Sequence, residues 1–250
     1  MSIGDEQGDD KHALYMPVAI QTDEDGNIYI CDRGDHAVKV YDKQGRFLYN
    51  IGHKGMGQGE LINPYLMALA GNRRLIVVDR QRNASFFNLS GKFLNSFKVK
   101  EGRPYSLFCD AGKIYMTFAI LPFLPTEDQY KKMVFVYNFK GEVVNSFGKP
   151  HPMGEAPSGK QFSSGFIYGN KKNLVLARES LYKMEIYSTE GHLESVIDCE
   201  ADFFPQPELV SLSVPVKMIT TRSESKAVNL FPDGRILLTI LDRGISYKEE

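Results

Sequence analysis

The sequence predicts an all-β fold, a β-propeller built from four-stranded blades, and three observations carry that prediction. A pattern of an apolar residue, an aromatic, a small polar residue, two free positions and a glycine occurs four times. The copies are Val40-Tyr41-Asp42-Lys43-Gln44-Gly45, Phe86-Phe87-Asn88-Leu89-Ser90-Gly91, Val136-Tyr137-Asn138-Phe139-Lys140-Gly141 and Ile186-Tyr187-Ser188-Thr189-Glu190-Gly191. Their glycines fall at 45, 91, 141 and 191, in steps of 46, 50 and 50 residues. No helical period separates the copies. Four-stranded units that repeat every ~40–50 residues are the mark of propeller blades, none of which can bury both faces alone. A β-sandwich has a similar strand density but gives no reason for a fixed aromatic-to-glycine step.

Each copy reads as a strand end, a tight turn whose glycine takes positive φ, and the start of the next strand. Arg46-Phe47-Leu48, Lys92-Phe93-Leu94 and Glu142-Val143-Val144 open those next strands. An earlier hairpin runs from Val18-Ala19-Ile20 through Asp23-Glu24-Asp25-Gly26-Asn27 to Ile28-Tyr29-Ile30. It is echoed at Ala111-Gly112-Lys113-Ile114-Tyr115-Met116, at Gly169-Asn170 with Leu174-Val175-Leu176, and at Asp233-Gly234-Arg235-Ile236-Leu237-Leu238. Every repeat thus offers four antiparallel strands, a to d. The expected blades cover about 17–63, 64–103, 104–162 and 163–225, with a partial blade at 226–250 and the end of a preceding one at 1–16. Since both ends fall inside a repeat, the expectation is a piece of a six-bladed protein about 100 residues longer, with a closed five-bladed ring as the alternative.

The stretch from Pro17 to Pro64 resembles the NHL repeat. Asp25-Gly26-Asn27-Ile28-Tyr29-Ile30-Cys31-Asp32, Asp35-His36-Ala37-Val38-Lys39-Val40-Tyr41-Asp42, Gly45-Arg46-Phe47-Leu48 and Ile51-Gly52 carry the likeness, and Asp35-His36-Ala37 departs from the family's Asn-His-Leu or Asn-His-Arg. The second repeat matches fairly and the later ones diverge. The resemblance implies a six-bladed propeller of the kind common in bacterial extracytoplasmic proteins.

Composition narrows the function classes. Thirty basic against 31 acidic residues give a net charge of -1, so no excess of cations suggests a nucleic-acid partner. Tyr130-Lys131-Lys132 and Tyr168 with Lys171-Lys172 are isolated and diluted by Glu127, Asp128 and Glu155. Cys31, Cys109 and Cys199 form neither a disulfide framework nor a metal knuckle and read as buried thiols. No stretch reaches the ~18 apolar residues of a membrane span, and Met1 to Asp10 is acidic rather than a signal peptide. A nucleophile elbow, a phosphate loop and a dinucleotide fingerprint are all missing. Gly55-Met56-Gly57-Gln58-Gly59 has no helix to follow and reads as a compact loop with positive-φ corners.

A four-stranded meander places its a–b and c–d turns on one side and its b–c and d–a connections on the other. The second side collects the long segments, at 52–63, 118–132, 148–162 and about 200–225, and long loops on a rigid scaffold are where binding resides. Asp32-Arg33 and Asp79-Arg80 end the second strand of the first two blades, and Asp242-Arg243 lies two positions later in the fifth. The third blade has Phe118 near that place and the fourth has Arg178-Glu179. The expected ligand-binding set is Asp32, Arg33, Asp79, Arg80, Phe123, Arg178 and Glu179. Phe123 belongs to an apolar loop with Ile120, Leu121 and Leu124. Against this stand blander readings: each aspartate accepts N–H bonds in its own b–c turn, and the apolar loop, like Phe203-Phe204-Pro205, packs on its own blade.

His12, His36, His53 and His151 fall on the long-loop side as well. Similarity to the NHL-like hydroxyglycine lyases and the calcium-dependent lactonases implies an alternative, a metal-dependent lyase or lactonase-like hydrolase. In it some of His36, His53, His151, Asp32 and Asp79 would hold Zn or Ca at the channel mouth. These histidines occupy non-equivalent loops and form no HxxxH or HxH pair, so the expectation is no cofactor and no catalytic residue. The function expected is a non-enzymatic scaffold that binds a protein, glycan or small ligand.

Overall fold

The computed structural model describes residues 13–118, 132–150, 164–178 and 183–198, and two strands at 223–230 and 236–242. The first sheet contains β1 (Pro17–Thr22), β2 (Ile28–Asp32), β3 (Ala37–Tyr41) and β4 (Phe47–Ile51), and the second β5 (Pro64–Ala70), β6 (Arg74–Asp79), β7 (Asn83–Asn88) and β8 (Phe93–Lys98). The third contains β9 (Pro104–Asp110), β10 (Lys113–Phe118), β11 (Val134–Tyr137) and β12 (Val143–Phe147). The fourth contains β13 (Gly165–Gly169), β14 (Asn173–Arg178), β15 (Lys183–Ser188) and β16 (Leu193–Asp198). A two-stranded sheet of β17 (Ser223–Leu230) and β18 (Ile236–Asp242) follows. Within each four-stranded sheet the strands lie in chain order, the meander of a propeller blade.

The repeated pattern builds the same c–d turn four times. The amides of Gly45, Gly91, Gly141 and Gly191 donate to the carbonyls of Asp42, Asn88, Asn138 and Ser188 at 2.9–3.0 Å, and the four glycines share φ of 84–87°. The polar residue is required because its side chain is the second half of the turn. Asp42 Oδ1 accepts from the amides of Gln44 and Arg46, Asn88 Oδ1 from Ser90 and Lys92, and Asn138 Oδ1 from Lys140 and Glu142.

The chain divides into two compact units, Met1–Lys100 with Cys109–Lys113 and Asn138–Glu142, and Glu101–Phe108 with Ile114–Tyr137 and Val143–Glu250. In the first, Tyr29, Cys31, Val38, Val40 and Ile51 interlock with Leu61, Met67, Leu75, Val77 and Phe87. In the second, Tyr115, Met133, Val134, Val136 and Phe147 pack against Ile167, Leu174, Leu176 and Tyr187. The repeat aromatics Tyr41, Phe87, Tyr137 and Tyr187 are all buried.

The c–d turn also receives the outer strand of the sheet before it. Tyr49 of β4 donates its hydroxyl to the Leu89 carbonyl, Asn95 Nδ2 of β8 donates to Phe139 O at 2.9 Å, and Asn145 Nδ2 of β12 to Glu190 O at 2.8 Å. This close approach leaves no room at the glycine: a Cβ on Gly141 would lie 2.4 Å from the Phe97 ring. Gly112 also has positive φ, but nothing lies within 4 Å of its would-be Cβ. Gly112→Ala therefore costs only the ~1–2 kcal/mol of a left-handed L-residue. Gly141→Ala adds about 1–3 kcal/mol of overpacking, a difference that paired urea-unfolding curves will read directly.

Cys31 and Cys109 are free and buried. Burial, helped by the Asp32 charge, pushes the Cys31 thiol up to about 12, and burial with the Asp110 charge pushes Cys109 up as well. A thiol in that state has almost no nucleophilic thiolate at neutral pH. Neither residue is expected to take up iodoacetamide at pH 8 in the native chain, while both label in urea; mass mapping of the adducts is the check. Cys199 lies outside the described residues.

Candidate functional site

Asp32 and Asp79, the terminal residues of β2 and β6, sit opposite Pro17 and Pro64 in the register of the first two sheets. Both are buried, at 0% and 1% exposure. Asp32 Oδ2 accepts from the Tyr15 amide and Oδ1 from the amides of Met16 and Gly34, at 2.8, 2.8 and 3.0 Å. Asp79 Oδ1 accepts from the Asn83 amide at 3.0 Å, and Oδ2 from the Ile62 amide at 3.3 Å and Asn83 Nδ2 at 3.4 Å. The next backbone amide completes the joint: Arg33 N donates to Met16 O, and Arg80 N to Ile62 O and Asn63 O. These carboxylates are clasps that tie the segment entering strand a to the end of strand b. Their acceptors reach beyond their own b–c turn, to the Tyr15, Met16 and Ile62 amides.

Arg178 occupies the corresponding place in the fourth sheet with the opposite charge. It ends β14 opposite Gly165, is buried at 3% exposure, and donates through Nη2 to the Lys149 carbonyl at 2.7 Å. A cation here needs a counter-charge, and Glu185 of β15 supplies both carboxylate oxygens to Nη2 at 2.7 and 2.8 Å. Glu185 also accepts from the Tyr187 hydroxyl at 2.6 Å, and Nη1 of Arg178 meets Met133 Sδ. Burial first, then the bond to Glu185, hold the Tyr187 hydroxyl well above the usual tyrosine range.

With the carboxylates turned inward, Arg33 and Arg80 stand one residue further on and line a cleft of about 580 Å³ together with Met16, Gly34, His36 and Asn63. All six come from the segments before strand a and the b–c turns, the side that sequence reasoning favoured. Arg33 Nε and Nη2 contact Met16 Sδ at 3.0 and 2.6 Å, while the Arg80 guanidinium stands 5.8 Å from the centre of the Tyr65 ring. His36 Nδ1 accepts from the Asn63 amide at 3.0 Å, which joins the first b–c turn to the next connection. His36 and Asn63 both have positive φ, 57° and 50°, a strained state for residues with a Cβ.

The remaining expectations divide. His53 Nε2 pairs with Glu60 Oε1 at 3.2 Å, and Glu60 also accepts from the Gly57 amide at 2.6 Å. A Cβ on Gly55 would fall 2.0 Å from Glu60 Oε2, so that loop is glycine-rich to admit a carboxylate rather than a phosphate. Phe123, Glu179, His12, His151, the apolar loop around Phe123 and Phe203-Phe204-Pro205 lie outside the described residues. Among the described residues no group of three His, Cys, Asp or Glu could hold a metal ion.

Sequence reasoning missed Lys39 and Glu185. Both lie two residues before the repeat aromatic, both are buried, and each stands seven residues after the charged end of strand b: Asp32 with Lys39, Arg178 with Glu185. The joint reversal of sign at that spacing was the available signal. Lys39 Nζ is bound by Asp35 and the Ala13 carbonyl.

Residues 17–211 match the model of a family described as 6-bladed beta-propeller. Over 84 residues, 32% of this chain and 8% of the relative, the sequence is 25% identical to Protein brain tumor of Drosophila melanogaster. A streptogramin B lyase structure superposes with TM-score 0.61 at 11% identity, over 94% of this chain and 64% of that one. Kuenenia stuttgartiensis hydrazine synthase gives 0.59 at 15% identity, over 95% and 59%. A Bacteroides fragilis NCTC 9343 protein assigned as exported gives 0.57 at 17%, over 77% and 54%. The chain thus spans less than two thirds of each of these relatives, and the structural likenesses speak for the fold alone. Among the described residues no helix is long and apolar enough to cross a membrane.

Proposed function

The chain belongs to the six-bladed β-propeller family, and we propose that it serves as a non-enzymatic binding scaffold whose ligand sits on the side formed by the b–c turns and the d–a connections. The observation that carries this reading is the cleft bounded by Arg33, His36, Asn63 and Arg80. Equivalent turns of successive repeats converge there, and the fold has already spent Asp32 and Asp79 on holding those turns in place. Polar groups fixed on a rigid scaffold around a concave surface are the ordinary makings of a small-ligand site. An extracytoplasmic location, as proposed here, fits the exported assignment of the Bacteroides fragilis relative.

Met16 makes the proposal testable, because its side chain lines the cleft whereas Met67 is buried in the core. With methyl-labelled methionine, a panel of sugar acids, neutral sugars and short peptides is expected to include compounds that move the Met16 resonance saturably and leave Met67 still. Shifts confined to Met56, which borders a separate cleft of about 450 Å³, would refute the placement.

A further inference from the structure

We infer that the group bound in this cleft is an oxyanion, a carboxylate, phosphate or sulfate on a small molecule, held by the guanidinium groups of Arg33 and Arg80; the inference rests on the cleft being the ligand site. The lining is rich in donors and poor in negative charge. Each guanidinium offers five N–H donors in a planar fork that matches an oxyanion. Arg33 directs two of its nitrogens at a thioether, a weak acceptor that a charged oxygen readily outcompetes. Arg80 stands near an aromatic face, a contact that consumes no oxygen acceptor. Among the described residues neither arginine has a carboxylate partner.

The nearby acids are all engaged elsewhere. Both oxygens of Asp32 and of Asp79 accept hydrogen bonds from amides, and Asp35 pairs with Lys39. His36 uses Nδ1 as an acceptor, so its neutral ring carries the proton on Nε2 and adds a donor rather than an acceptor. A cation would meet two like charges here, and a neutral polyol would leave two guanidinium groups without an anionic partner. The cleft, at about 580 Å³, has room for more than an inorganic ion, which points to an acidic group carried on a larger ligand.

Titrations of the whole chain with sodium phosphate, sodium sulfate, glucuronate and glucose, followed at the Met16 methyl, test this, and the order of the three anions identifies the group preferred. At least one anion is expected to bind saturably, with affinity about tenfold or more weaker in Arg33→Gln and in Arg80→Gln, as loss of a charge-assisted bond demands. Arg80 is exposed and Arg33 half-buried, and unchanged unfolding midpoints in the two variants serve as the control for folding. Glucose moving Met16 as strongly as glucuronate, or anion affinity surviving both substitutions, would overturn the oxyanion assignment and leave the cleft as a binding site. If none of the four moves Met16 while an uncharged compound of the panel does, the oxyanion alone is refuted; a sugar acid or peptide that moves it supports the assignment only if Arg33→Gln and Arg80→Gln weaken its binding; if no compound moves Met16, the site itself falls with it.

Discussion

Glu185→Ala lowers the stability of the chain by about 3–5 kcal/mol, because it leaves the Arg178 cation buried without its counter-charge. Arg178 is 3% exposed and its Nη2 takes both Glu185 oxygens, so neither water nor another described carboxylate stands ready to replace them. The Tyr187 hydroxyl loses its acceptor in the same substitution. Glu185→Gln keeps the shape and one acceptor oxygen but not the charge, and it falls between parent and alanine variant. The double variant Arg178→Met with Glu185→Leu removes both charges and recovers most of the loss, since a buried ion pair is often replaceable by apolar packing. Urea-unfolding midpoints of the four proteins give the order. A Glu185→Ala variant within about 1 kcal/mol of the parent would mean that the pair is a solvated surface bridge.

The second large effect is at Asp32. Its replacement by alanine strips the acceptor from the amides of Tyr15, Met16 and Gly34 at once. Bonds to a charged acceptor are worth about 1.5–3 kcal/mol each, but the three share one carboxylate and partly rehydrate, so a loss of about 3–4 kcal/mol is expected. Function follows the same path. Met16 and Arg33 line the cleft and are positioned by the clasp, so Asp32→Asn weakens ligand binding although Asp32 faces away from the cleft. Faster hydrogen exchange at the Tyr15 and Met16 amides in Asp32→Asn is the accompanying signature. Unchanged exchange there would show that the clasp does not hold the turn.

The blades were legible because their turns are local. A glycine at positive φ with a polar residue three positions earlier is a backbone requirement, and Asp42, Asn88 and Asn138 meet it in the same way. The site was only half legible. Asp32-Arg33 and Asp79-Arg80 stood out as charged pairs, yet which member turns inward depends on amides some 16–17 residues away, at Tyr15, Met16 and Ile62. Sequence proximity carries no information about that partner. Arg178 shows the same difficulty: it is a clasp like the aspartates, but of opposite sign, and only its pairing with Glu185 across the b–c turn discloses the role. His36 Nδ1 accepts from the Asn63 amide, a contact set by the packing of one repeat on the next that no local spacing announces.

Carboxylate inward and guanidinium outward is the division of labour proposed for the ends of β2 and β6, and selenate makes it visible. Crystals of the chain soaked in selenate and measured at the selenium edge should carry an anomalous peak in the cleft, with oxygens within about 2.7–3.2 Å of guanidinium nitrogens of both Arg33 and Arg80. Selenate bound at other surface cations, with this cleft left to water, would contradict it.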